Sequence, residues 1–181
     1  MKNFAIYLLV IIVIGCLSAC VEKPDFDQFD DIDAIPTVDA SLIYVESPER
    51  IINQAGGINF YSQDFVFDPF NEDFVQERLV DAIIRYEVNN TTSKPIDFTV
   101  ELLDAGDNVL DTENFMISPA PSPILIREVA YGPGGRPLDI LRNTVTVRLS
   151  ATNLGDNTSV SSLPDPKIII RSSARFRIRL K

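Results

Sequence analysis

The chain has 181 residues, with 16 Lys and Arg against 26 Asp and Glu, no His and no Trp, and a formal net charge of −10. That balance argues against a nucleic-acid binder and against attachment to anionic lipid through a basic patch. The absence of His excludes Ser-His-Asp and Cys-His nucleophile systems and zinc sites built on His.

The chain opens Met1-Lys2-Asn3, runs apolar from Phe4 to Ile14, and continues Gly15-Cys16-Leu17-Ser18-Ala19-Cys20. One cation, an apolar core and small terminal residues make the three-part pattern of a secretory signal. A membrane-spanning helix needs roughly 20 apolar residues, so this run is short for one. The alternative, a permanent membrane helix from Phe4 to Val21, lacks a basic stop-transfer cluster, because acidic, Pro-containing sequence follows at once.

Leu17-Ser18-Ala19-Cys20 resembles the lipobox of bacterial lipoproteins, an aliphatic residue and two small ones before a cysteine that is diacylated. The resemblance implies cleavage after residue 19, acylation of Cys20 and a membrane held through N-terminal acyl chains. Val13-Ile14-Gly15-Cys16 fits a looser form of the motif with a shorter apolar core, which keeps Cys16 as the competitor. Two or more acyl chains are needed for stable attachment, each buried methylene contributing ~0.8 kcal/mol. Removing residues 1–19 deletes Lys2 and no acid, which takes the formal charge from −10 to −11. Cys20 is then the only cysteine, so an internal disulfide, a free thiol and a Cys-built metal site are excluded with it. Val21, where inner-membrane lipoproteins commonly carry Asp, resembles the outer-membrane kind. Glu22, Lys23 and Asp25 loosely resemble the charged export signal of surface lipoproteins of the Bacteroidota, with Pro24 interrupting the match.

Residues 20–36 set Glu22, Asp25, Asp27, Asp30, Asp31 and Asp33 against Lys23, with Phe26, Phe29, Ile32 and Ile35 at intervals of three. Such a segment reads as an acidic, self-repelling tether, able to reach ~50 Å when extended. A short amphipathic docking segment and a Ca²⁺ loop are the other readings, though the Gly and closing Glu of a helix-loop-helix calcium site are missing.

From about Val38 the pattern turns to period two. Ser41 to Val45 and Ile58 to Phe67 read as strands, and Phe70 to Leu79 as partly helical. Val80, Ala82, Ile84, Tyr86 and Val88 share one face opposite Asp81, Arg85 and Glu87; Ile96, Phe98, Val100 and Leu102 alternate with Asp97, Thr99 and Glu101. The polar loop between these runs predicts an antiparallel pair with one buried face. Val109 to Ile117, Ser122 to Tyr131 and Thr144 to Thr152 are further strands, and Pro137 opens one helical turn. Gly134-Gly135 marks a turn rather than a phosphate loop. In the last fifteen residues the apolar side chains Ile168, Ile170, Ala174, Phe176, Ile178 and Leu180 lie at even positions with Ser172, and the cations at odd ones.

Seven to nine short strands, frequent turn signals and at most one or two short helical turns predict an all-β fold. The expected arrangement is a single antiparallel β-sandwich over 37–181, immunoglobulin-like or fibronectin-III-like.

The candidate sites are few. Arg175, Arg177, Arg179 and Lys181 form a cationic row with three readings. It protects an edge strand, pairs with acids such as Asp97, Glu101 or Glu87 on a neighbour, or receives an anionic glycan, lipopolysaccharide or acidic protein. No organic cofactor is called for. Structural Ca²⁺ is open at Asp104, Asp107 and Asn108 and at Asp68, Asn71, Glu72 and Asp73, though Asp and Asn are also ordinary turn residues. Tyr44, Tyr61, Phe65, Phe67, Phe70 and Phe74 are read chiefly as core, with a sugar-stacking platform as the alternative.

The lipobox, Asp25-Phe26-Asp27-Gln28-Phe29-Asp30-Asp31 and Tyr86-Glu87-Val88-Asn89-Asn90-Thr91 resemble small flavobacterial-type cell-envelope lipoproteins. The resemblance implies an envelope location and a β-domain and carries over no catalytic residue. Three functions follow as expectations. The first is a non-enzymatic envelope module with a protein or glycan partner, in the outer membrane and facing the periplasm or the surface. The others are a glycan-capturing accessory lipoprotein of a nutrient uptake system and a small carboxylate-based hydrolase.

Overall fold

The structure is a computed structural model that describes residues 33–55, 59–67 and 73–180. The chain divides into Met1–Asp33 and a second unit, Ala34–Lys181. Eight strands order the second unit: β1 (Thr37–Pro48), β2 (Asn59–Val66), β3 (Leu79–Asn90), β4 (Ile96–Leu103), β5 (Val109–Ile117), β6 (Leu125–Tyr131), β7 (Thr146–Asn153) and β8 (Lys167–Ile178). Three six-residue helices interrupt them: α1 (Glu49–Gln54), α2 (Asp73–Arg78) and α3 (Leu138–Asn143). The second and third lie where the sequence predicts helical turns. The first, which follows Pro48 directly, is unmarked by the alternation on either side. None of these helices is long and apolar enough to cross a membrane.

The strands pair antiparallel in two sheets of four, in the orders β1-β8-β3-β6 and β2-β7-β4-β5. The two sheets make the expected sandwich. Only β4 and β5 are sequence neighbours within one sheet; every other connection passes from one sheet to the other. This is the double Greek key of a jelly roll, and the immunoglobulin-like or fibronectin-III-like order expected above, which places strands A, B, E and D against C, F and G, is corrected to it.

The same topology corrects the predicted β3–β4 pair. β3 bonds to β8 and β6, and β4 to β7 and β5, so the polar loop between β3 and β4 is an arch between the sheets. Asn90, buried, holds the arch. Its amide donates to the carbonyls of Lys94 (2.8 Å) and Ser118 (3.0 Å), and its Oδ1 accepts from the amide and hydroxyl of Thr92. Alternation tells which face of a strand is buried. It carries no information about which strand lies beside it.

The inward rows build the core. Ile168, Ile170, Ser172, Ala174 and Phe176 of β8 are buried, whereas Leu180, beyond the strand end, is exposed and falls outside the expected row. A bulge between Leu79 and Asp81 corrects another boundary: Leu79 is buried and Val80 only partly so. Across the sandwich Tyr86 of one sheet meets Phe115 of the other at 5.3 Å between ring centroids, and Phe98 lies 5.7 Å from Phe115. Each such fully buried side chain contributes about 1.5–3 kcal/mol.

Candidate functional site

The outward face of the β1-β8-β3-β6 sheet carries a regular array of ion pairs. Register sets outward residues of adjacent strands side by side in rows that cross the sheet. One row is Tyr44–Arg171–Glu87–Ile126, the next Ser41–Ser173–Arg85–Glu128, the third Asp39–Arg175–Ile83–Ala130. Ion pairs follow these rows: Arg171 to Glu87 at 3.2 Å, Arg85 to Glu128 at 2.9 Å, Arg175 to Asp39 at 2.8 Å. Lys167 bridges Glu46 and Asp165, which holds its pKa well above the usual lysine value. Arg177 grips both oxygens of Asp81 and holds that carboxyl below the usual range.

The three readings of the cationic row are thereby resolved for Arg175 and Arg177. β8 lies between β1 and β3, so edge protection is corrected. Cross-strand pairing holds, but with Asp39 and Asp81. Glu87 pairs with Arg171, and Asp97 and Glu101 belong to the opposite sheet. Arg175 and Arg177 each already face a carboxylate, which offsets the charge they present. Arg179 is exposed beyond the strand, its amide bonded to the carbonyl of Arg78 at 2.8 Å. Lys181 lies outside the described residues.

The middle row is low where it crosses β1 and β8. Ser41 and Ser173 are small, with Tyr44 and Arg171 on one side and Asp39 and Arg175 on the other. Two hollows, ≈ 460 Å³ and ≈ 310 Å³, meet over this row and share Arg85 and Ser173. They adjoin along Ser173 and Arg85 in a depression, the trough, that reaches from β1 to Glu128 of β6. Tyr44 is 58% exposed, its hydroxyl donates to Glu46 at 2.8 Å, and its ring lies 5.8 Å from the Arg171 guanidinium.

A second polar cluster ties the loops at one end of the sandwich. Glu49 and Lys94 are buried. The Lys94 ammonium donates to Asp156 (3.0 Å) and to the Ser159 hydroxyl (2.6 Å), which lies 3.0 Å from the Ser93 hydroxyl, itself 2.5 Å from Glu49 Oε1. Burial works against the Glu49 charge, yet Ser93 and the Ser161 amide outweigh it and hold its pKa below the ordinary 4.5. The amides of Ser159 and Thr158, with Lys94, hold Asp156 far below the usual range. Lys94 pairs directly with Asp156 and reaches Glu49 through two hydroxyls, which makes the cluster a pin for three loops.

A third cluster closes the sandwich beside its other edge strands. Arg136 pairs with Asp111 at 2.6 Å and with Glu113; Arg127 pairs with Glu113 at 2.9 Å and lies over the Phe115 ring; the Tyr131 hydroxyl donates to Asp111. Asp111 and Glu113 are both held by the one Arg136 guanidinium.

The remaining sites sort as follows. Asp104 Oδ1 accepts from the amides of Gly106 and Asn108 and both its oxygens bond the Asn108 side chain. With Asp107 at φ 61°, this is the turn reading. Asp73 begins α2, while Asp68, Asn71, Glu72 and Phe70 lie outside the described residues, as do Cys16 and Cys20. Phe67 is core, Tyr61 and Phe65 of β2 are half-buried in the other sheet, and Phe74 is exposed on α2. Tyr44, on β1, is thus on the sheet opposite Tyr61 and Phe65 of β2. The trough itself escaped sequence reasoning, although Ser173 was visible as the small residue between Arg171 and Arg175.

No protein-family model matches the chain, and no curated protein matches it. Among solved structures it is similar to the VP2 subviral particle of infectious bursal disease virus. Identity is 12% and TM-score 0.38, over 82% of this chain and 33% of that one. It is also similar to the Desmodium yellow mottle tymovirus structure (7% identity, TM-score 0.38, 82% and 90% covered) and to the disulfide-linked pili of Bacillus endospore appendages (10%, 0.36, 80% and 91%). The chain spans about a third of the length of the VP2 protein. At these scores the likeness says nothing of function, and the jelly roll rests on its own strand order.

Proposed function

We propose that this chain is a non-enzymatic, lipid-anchored protein of the bacterial cell envelope, whose jelly roll serves as a binding module for an envelope partner. The observation that carries the reading is Leu17-Ser18-Ala19-Cys20 at the end of an eleven-residue apolar run. Acylated there, the protein is tethered through Cys20, with the acidic segment to residue 36 as the leash. Val21 and the acids behind it favour the outer membrane. The non-enzymatic part draws support from the described charge clusters, in which carboxylates are engaged by guanidinium, ammonium or hydroxyl partners. Glycan capture, as an accessory to nutrient uptake, is favoured over a protein partner by the trough across β1, β8, β3 and β6.

The anchor is tested by growing cells on a clickable palmitate analogue and separating membranes. The full-length protein is expected to take up label and partition into detergent, with Cys20→Ser losing both and Cys16→Ser keeping both. Label that survives Cys20→Ser overturns the assignment.

A further inference from the structure

We propose that the trough on the outer face of the β1-β8-β3-β6 sheet binds a neutral polysaccharide chain lying across the strands. This rests on the binding-module reading and names its ligand class.

Shape is the first argument. The floor is Ser41 and Ser173, and the walls rise at Tyr44 and Arg171 on one side and Asp39 and Arg175 on the other. Neighbouring strands are ~4.8 Å apart, so the serine floor across β1 and β8, continued beside Arg85 of β3 to Glu128 of β6, extends ~14 Å. That fits a segment of a linear polymer better than a compact metabolite.

Charge decides between polymers. Arg85, Arg171 and Arg175 each face one carboxylate, from Glu128, Glu87 and Asp39. The trough lining is neutral in sum and offers no field to attract a polyanion. Its hydrogen-bonding capacity remains large. A guanidinium carries five N–H donors, and each of these three gives one to its carboxylate. Held by their ion pairs, they place donors beside carboxylate acceptors, the alternation that a row of sugar hydroxyls satisfies in both senses. The exposed Tyr44 ring supplies an apolar face for the C–H side of a pyranose. A protein partner fits less well, because interface centres are depleted of Asp and Glu and Asp39, Glu87 and Glu128 all line these hollows.

The test uses the acylated full-length product in mild detergent. It is run by affinity electrophoresis through gels containing laminarin, galactomannan, arabinoxylan or dextran, with polygalacturonate as the anionic comparison. Retardation by at least one neutral polymer is expected, with affinity then measured by titration calorimetry. Tyr44→Ala and Ser173→Phe, which removes the ring and fills the floor respectively, are each expected to weaken binding at least tenfold. Arg148→Ala on the opposite sheet is expected to leave binding unchanged, with circular dichroism showing all three folded. Failure with all four neutral polymers, preferential retardation by polygalacturonate, or full affinity in both trough variants overturns the assignment. Such a failure with Cys20 labelling intact leaves the anchored-module reading standing, whereas label surviving Cys20→Ser overturns that reading without touching this one.

Discussion

Ser172 is the polar member of the inward row of β8, and its buried hydroxyl has no partner. A buried hydroxyl without a hydrogen bond costs about 1–3 kcal/mol. Ser172→Ala is therefore expected to raise stability by about 1 kcal/mol in urea unfolding at unchanged m-value. Glu49 is the opposite case, a buried carboxylate with every contact donated to it. In Glu49→Gln the amide nitrogen is set against either the Ser161 or the Ser93 N–H, at a cost of about 2 kcal/mol. Because the folded pKa is depressed, the Glu49 contribution is complete above the ordinary 4.5 and is lost as pH falls through the folded value. The melting-temperature gap between wild type and Glu49→Gln should therefore narrow on acidification below about pH 4.5. A constant gap would remove Glu49 from the acid response.

At the scale of elements, the turn after β6 shows how a short motif positions a cluster. Gly132 stands at φ 107° and Gly135 donates to the Gly132 carbonyl at 2.9 Å, which returns the chain so that Arg136 meets Asp111 and Glu113. A Cβ on Gly135 would lie 2.3 Å from the Ala130 carbonyl oxygen. Gly135→Ala is expected to cost at least about 2 kcal/mol, read as a lower urea midpoint, because backbone rather than a flexible side chain must yield. The Gly-Gly turn was legible in the sequence; its role in aiming Arg136 was not, since Asp111 and Glu113 lie on another sheet. The same holds for β8. Its two faces were plain from the alternation, yet its central place between β1 and β3, and with it the pairing of Arg175 and Arg177, came from long-range strand order.

For the whole molecule, the absence of His removes the side chain that titrates between pH 5 and 8. Thermal stability is expected to stay flat from about pH 6 to 8 and to fall below about pH 4.5. There the unfolded chain takes up protons first, because Glu49, Asp64 and Asp81 are held ionised in the fold with depressed pKa values. A slope across the neutral range, seen by calorimetric melting, would contradict this. The lipobox-like Cys20, the acidic composition, the strand count and the buried face of most strands are local properties, written in residue type and in a period of two, and the amino-acid sequence by itself determined them. Which strands lie side by side is a matter of closing long loops over a shared core. Tertiary structure alone decided the jelly-roll order, the pairing of Arg175 and Arg177 with carboxylates and the trough over Ser41 and Ser173, because each is made by residues that meet only when distant strands pair.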